Sequence, residues 1–190
     1  MPLGKRKSEP RGEEGGRPVG IWIRFVRKID SLSAAIGRAA SWLTLAMVLV
    51  TVSDVLMRYF FKAGSIAVQE IEWHLFSANF LLAAAWTLLC NGHVRVDLLR
   101  VRMSERKQAW IDFLGGLFFL IPFCVVVAWA SIPFVYDAWS TLEGSSDPGG
   151  LPARYLLKTL IPAAYVLLGL QGFSQVIKNL YFLRGKGDSP

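Results

Sequence analysis

Cysteine and histidine are scarce in this sequence, two of each in 190 residues, and the scarcity removes several kinds of chemistry at once. Cys90 and Cys124 stand alone in apolar runs with no CxxC pair. They read as small buried hydrophobes, not as a disulfide, a redox couple or part of a metal site. His74 and His93 lie on either side of one apolar run, and that separation along a helix is roughly 28 Å. They cannot grip one haem iron within a monomer. Phosphate loops, glycine fingerprints and His/Glu metal spacings are missing as well, which excludes ATP hydrolysis by this chain. There is no internal repeat.

What is present is apolar. The chain is 53% hydrophobic and 13% aromatic with a mean hydropathy of +0.40, too greasy for an ordinary soluble domain. A spanning helix needs about 20 mostly apolar residues. Four stretches qualify, at about 39–57, 71–90, 110–136 and 155–182. Lipid-facing backbone must bond to itself, so all four are expected to be helices. The last two exceed the minimum length and imply tilt, with Pro122, Pro133 and Pro162 as expected kink points. The predicted fold is therefore an all-α integral membrane protein, its four-helix membrane domain covering residues 38–183.

Little chain remains outside the spans. Residues 1–18 are rich in Gly, Pro and charge and are expected to form a disordered basic tail; the head is too long and too charged for a cleavable signal peptide. Residues 184–190 form a short second tail. Between head and first span, residues 19–37 place Ile21, Trp22, Phe25, Val26, Ile29, Leu32 and Ile36 on one helical face and Arg24, Arg27, Lys28 and Ser31 on the other. That pattern describes an amphipathic helix lying in the membrane interface against lipid headgroups; a plain N-terminal extension of the first span is the alternative.

Charge sets an expected orientation. Nine of the 21 Lys and Arg precede the first span and five lie between spans two and three, whereas the segment from Asp137 to Ala153 has none and carries Asp137, Glu143 and Asp147. Both termini are thus predicted cytoplasmic and that acidic segment external. The net charge of +7 reports topology, and nucleic acid is not needed as a partner.

Polar residues at membrane depth are costly and mark where function or structure demands them. Asp54 and Arg58 are one turn apart near the external end of span one; Glu70, Glu72 and His74 open span two; Arg154 and Lys158 open span four. External cations need anions, which predicts a structural cluster of Asp54, Arg58, Glu70, Glu72 and Lys158 tying spans one, two and four together, with Glu70 paired to Lys158. Glu72 lies about 200° round the helix from Glu70 and serves a different partner. His74 either orients the Glu70 carboxylate or is aromatic filler at the interface. A proton relay or a substrate site is the functional alternative for this cluster. Two small-residue patches, Ser33, Gly37 and Ser41 in the first helical segment and Gly169 with Gly172 in the last, are expected to let a helix of a partner chain approach closely.

After span two comes "NGHVRVDLL". Gly92 is placed to stop the helix, His93, Arg95 and Asp97 alternate with apolar residues, and Ser104 with Glu105 signals the next helix start. The run "DVLMRYFF", a Glu at the start of span two, "NGHVRVDLL" and then "GLPARYLLKTLIPAAYVLLGLQG" together resemble the small permease subunit of tripartite ATP-independent periplasmic (TRAP) transporters. The wording "EWHLF" and "GHVRVD" is similar to the mannitol/chloroaromatic or 2-oxo-acid branch. The resemblance covers roughly residues 40–175 and has several implications. The chain would sit in a bacterial inner membrane as a non-catalytic subunit. A large permease subunit would hold the sodium and substrate sites, leaving no cofactor on this chain, and a periplasmic substrate-binding protein would deliver an organic acid. Gly92, His93, Arg95 and Asp97 would form the family-motif loop. A self-sufficient small transporter or channel, and a membrane redox subunit, are the rival classes.

Overall fold

The computed structural model describes residues 19–92 and 103–185, and all the regular structure among them is helical. α1 runs Val19–Phe61 and α2 Ile66–Leu89; α3, Glu105–Gly115, passes through a π turn, Gly116–Leu120, into α4, Ile121–Ser140; α5 runs Arg154–Leu183. Three stretches, 22–61, 105–140 and 154–183, are long and apolar enough to cross a membrane. α2 has 24 residues, about 36 Å of helix, but its first three turns carry Glu70, Glu72 and His74.

α1 corrects one expectation. The amphipathic segment and span one form a single unbroken helix of 43 residues. The sequence explains this: from residue 21 to residue 61 no proline intervenes and Gly37 is the only glycine, so nothing ends the hydrogen-bond ladder. The apolar face is also divided differently from the expectation. Val26 and Ile29 are buried with Ser33 and Ala40, while Trp22, Phe25 and Leu32 are exposed, so the first half of α1 packs partly on its own bundle.

α5 is the centre of the bundle and touches every other helix. Its buried residues, Ala164, Leu167, Gln171, Gly172, Ser174, Val176 and Asn179, are mostly small or polar, which lets backbones come close where lipid replaces water as the solvent. Gly172 faces the Leu120 side chain of the π turn, 2.8 Å from where a Cβ would sit, and Gly116 faces Val176 at the same distance. Gly37 receives the Trp86 indole of α2 so closely that any side chain there would collide with it. These glycines therefore pack this chain's own helices, and the surfaces expected to receive another chain at Gly37 and Gly172 are already filled by Trp86 and Leu120. Gly169 lies against Cys124. Ser33 is fully buried, and exposed Ser41 donates its hydroxyl to the Arg38 carbonyl at 2.7 Å.

The π turn stands directly before Pro122, with the Ile121 N–H reaching the Gly116 carbonyl. Proline has no N–H to give and its ring crowds the carbonyl four residues back; a wider turn accommodates both. Helices continue through Pro133 and Pro162. The end of α2 differs in detail from the expectation. Asn91 takes the left-handed conformation, φ 53°, and Gly92 N–H closes on the Thr87 carbonyl at 2.8 Å while Asn91 N–H bonds Leu88, a Schellman closure. Cys90 is exposed at this cap, against the expectation of burial, whereas Cys124 is buried. His93, Arg95, Asp97 and the tail at 1–18 lie outside the described residues.

Candidate functional site: a carboxylate-anchored loop beside a groove

The connection from α4 to α5, residues 141–153, folds into a small closed loop. Ser145 N–H bonds the Leu151 carbonyl at 2.9 Å, Gly150 N–H bonds Asp147 at 3.0 Å, and Asp147 N–H bonds the Ser145 hydroxyl at 3.1 Å. Both ends take left-handed backbone at residues that disfavour it, Leu142 with φ 46° and Ala153 with φ 71°. Such conformations persist where surrounding contacts over-determine them.

At Leu142 the contacts are a Schellman closure of α4, with Glu143 N–H on the Ala138 carbonyl at 2.9 Å and Leu142 N–H on the Trp139 carbonyl at 3.2 Å, and between the two ends Glu70 holds the loop. Its side chain is 4% exposed; the Ser145 hydroxyl donates to one carboxylate oxygen, the Leu151 N–H donates to the other at 2.5 Å, and the Arg154 guanidinium stands 3.6 Å away. The hydroxyl and the amide hold the carboxyl, which precedes the apolar run of α2, below the usual carboxylate range. Gly150 must lack a side chain here, since a Cβ would stand 2.9 Å from the Glu70 carboxylate and collide with Ser145. Arg154 lies over the Trp73 ring at 5.2 Å, with its Nε buried and without a hydrogen-bond partner.

The expected Glu70–Lys158 pair is replaced by two others. α5 begins at Arg154, so it is Arg154 that comes level with Glu70, while Lys158, one turn on, donates to Glu143 of the loop and sits 3.9 Å above the Phe134 ring. His74 does not orient the carboxylate: its Nδ1–H donates to the Glu70 backbone carbonyl at 2.6 Å, and its ring lies 3.9 Å from that of Trp73. Asp54 and Arg58 pair within α1 and do not join the others, so the cluster ties α2, the loop and α5 and leaves α1 out. Glu72 serves neither group, and its Oε1 is buried with no partner.

α1 is tied at the opposite end, by residues the sequence reading passed over. Asp30 accepts from Gln171 at 3.0 Å and Ser174 at 2.9 Å and pairs with Lys178 at 2.7 Å. Gln175 donates to the Leu88 carbonyl and to Asn91, stitching the end of α2 to the same helix. The spacing of Gln171, Ser174, Gln175 and Lys178, one face of an apolar helix, was the available signal.

Next to the anchored loop a groove of about 550 Å³ runs between α2 and α5 with Phe134 of α4 at its side. Trp73, Phe76 and Phe80 line it on one wall and Leu157 and Ile161 on the other, with Arg154, Lys158 and Glu143 at its rim. Among the described residues no group of three or more His, Cys, Asp or Glu is placed to hold a metal ion.

Comparison with curated proteins and with solved structures returned no match. The family model described as "Tripartite ATP-independent periplasmic transporters, DctQ component" matches residues 47–181, a range that takes in the anchored loop, the groove and most of the bundle. With most of its length matched, the chain belongs to that family and is a small permease component of a TRAP transporter.

Proposed function

We propose that this chain is the non-catalytic small subunit of a sodium-coupled, binding-protein-dependent secondary transporter for an organic acid, and that it braces the large permease subunit. In this reading all four long helical segments span an inner membrane with both termini cytoplasmic, and the loop at 141–153 faces the binding protein outside. The motif wording is similar to the mannitol/chloroaromatic or 2-oxo-acid branch of the family.

One observation carries the bracing role. The charged groups of Asp30, Asp54, Glu70 and Lys158 all bind neighbours within this chain; Asp30, Glu70 and Lys158 tie one helix to another or to the loop, and Asp54 pairs within α1. A transport pathway keeps such groups facing a water-filled cavity. Outside those ties the surface is broad and apolar, with Trp42, Leu49, Val52 and Phe60 of α1 and Phe119, Trp129 and Ile132 of the α3–α4 rod exposed, as suits a scaffold embedded in lipid and against a larger protein.

The test is co-expression with a large permease and its binding protein. The tagged chain is expected to capture the large subunit, and sodium-driven uptake in proteoliposomes is expected only when both are present. Failure to capture any large membrane protein would overturn the reading.

A further inference from the structure

We propose that the groove between α2 and α5 is a phospholipid site, in which Arg154 and Lys158 hold the lipid phosphate and one acyl chain lies along Phe76 and Phe80. This goes beyond the bracing role and stands on the groove itself, whichever assembly the chain joins.

The groove has the shape of an amphiphile. Its walls are aromatic and aliphatic for two helical turns of α2, from Trp73 to Phe80, about 10 Å, which is a large part of the ~15 Å that one leaflet's hydrocarbon occupies. Its volume of about 550 Å³ falls among clefts that hold a small ligand. Ser77 is the one polar side chain along the walls, and the rim carries two cations one helical turn apart, Arg154 and Lys158, beside the Glu143 carboxylate.

Those cations have unused donors. Arg154 stands 3.6 Å from Glu70, beyond hydrogen-bond reach, and its side chain is 26% exposed, so the outer part of its guanidinium is open to bond two oxygens of one phosphate. The Lys158 ammonium has three N–H groups and gives one to Glu143. Ala153, the residue before α5, provides no side-chain cap, so the amides of the first turn add positive partial charge at the same place. A compact anionic head joined to a flexible apolar tail fits this arrangement. A protein helix would have to bring an acid to the rim and bulky apolar residues directly beneath it.

The experiment is native mass spectrometry of the full-length chain released from detergent micelles, offered phosphatidylglycerol or a diacylglycerol with the same acyl chains. One phosphatidylglycerol is expected to remain bound, with a preference of about tenfold over diacylglycerol, the scale of one charge-assisted hydrogen bond. Lys158→Met is expected to erase the preference, and Ser77→Trp, which fills the groove and leaves the cations in place, to remove retention of both lipids. Circular dichroism and gel filtration identify any variant that has lost its fold. Equal retention of the two lipids by the unaltered chain would overturn the proposal. So would a preference that survives Lys158→Met. If Ser77→Trp abolishes capture of the large subunit yet leaves the lipid adduct intact, the groove belongs to a partner helix and the proposal is also overturned.

Discussion

Glu70 is the residue on which the loop end of the bundle turns. Its two oxygens accept from a hydroxyl and an amide of a loop more than seventy positions away in sequence, so removing its charge is expected to free the loop. Glu70→Gln should make the loop at 141–153 a new site of limited proteolysis while α5 stays protected. The pairing pattern gives a sharper check. A double-mutant cycle of thermal stability should find coupling between Glu70 and Arg154 and near-additivity between Glu70 and Lys158; the reverse outcome would restore the pair that sequence alone suggested. The pH dependence has a definite sign. Because the folded-state carboxyl is held below the usual range, its contribution is fully present above that range and is lost only as pH falls through the lowered value. Loop protection measured by hydrogen exchange should therefore persist through mild acid and disappear below it. Ala153 offers the opposite kind of test. With φ at 71° it takes a conformation that costs an L-residue about 1–2 kcal/mol, so Ala153→Gly should raise the unfolding temperature, and no rise would mean that the strain is relieved elsewhere.

At the scale of the helices, close packing decides most outcomes. Gly37→Leu would drive a side chain into Trp86, and Gly172→Leu would meet Leu120. Each should destabilise the isolated chain by roughly 1–3 kcal/mol, the usual cost of overpacking. The effect should appear in thermal unfolding without any partner; normal stability combined with failed assembly would instead move these glycines to an interface between chains. Asp30→Ala should loosen the N-terminal half of α1 from α5 by about 1–3 kcal/mol, since Gln171 and Ser174 would lose their acceptor. Hydrogen exchange along α1 would register it. The elements themselves were legible in the sequence because long apolar runs and their punctuation are strong local signals: α5 begins and ends within a residue of the expected span. Pairings were not. Which of Arg154 and Lys158 meets Glu70 depends on where a loop folds back, and no local pattern encodes that. The continuity of α1 was hidden for a similar reason, because basic residues on one face suggest an interfacial helix whether or not the helix goes on. Asp30 was missed because a lone acid in a basic segment looks like ordinary surface charge until α5 brings three donors to it.

For the whole molecule, two polar layers hold an otherwise apolar bundle, Asp30 with the polar face of α5 at one end and Glu70 with the loop at the other. Between them the contacts are largely small residues against apolar side chains, and the flanks of α1 and α4 expose broad apolar surface. Membership in the DctQ component family makes the chain a small permease component of a TRAP transporter, and this distribution of charge, tied at both ends, supports the bracing role proposed for it. The decisive measurement is sodium-driven uptake of an organic acid into proteoliposomes, made with the binding protein and with the large subunit alone, this chain alone, or both. Uptake is expected only when both are present, with no more than leakage from this chain alone. Sodium-dependent uptake by this chain in the absence of the large subunit would contradict it.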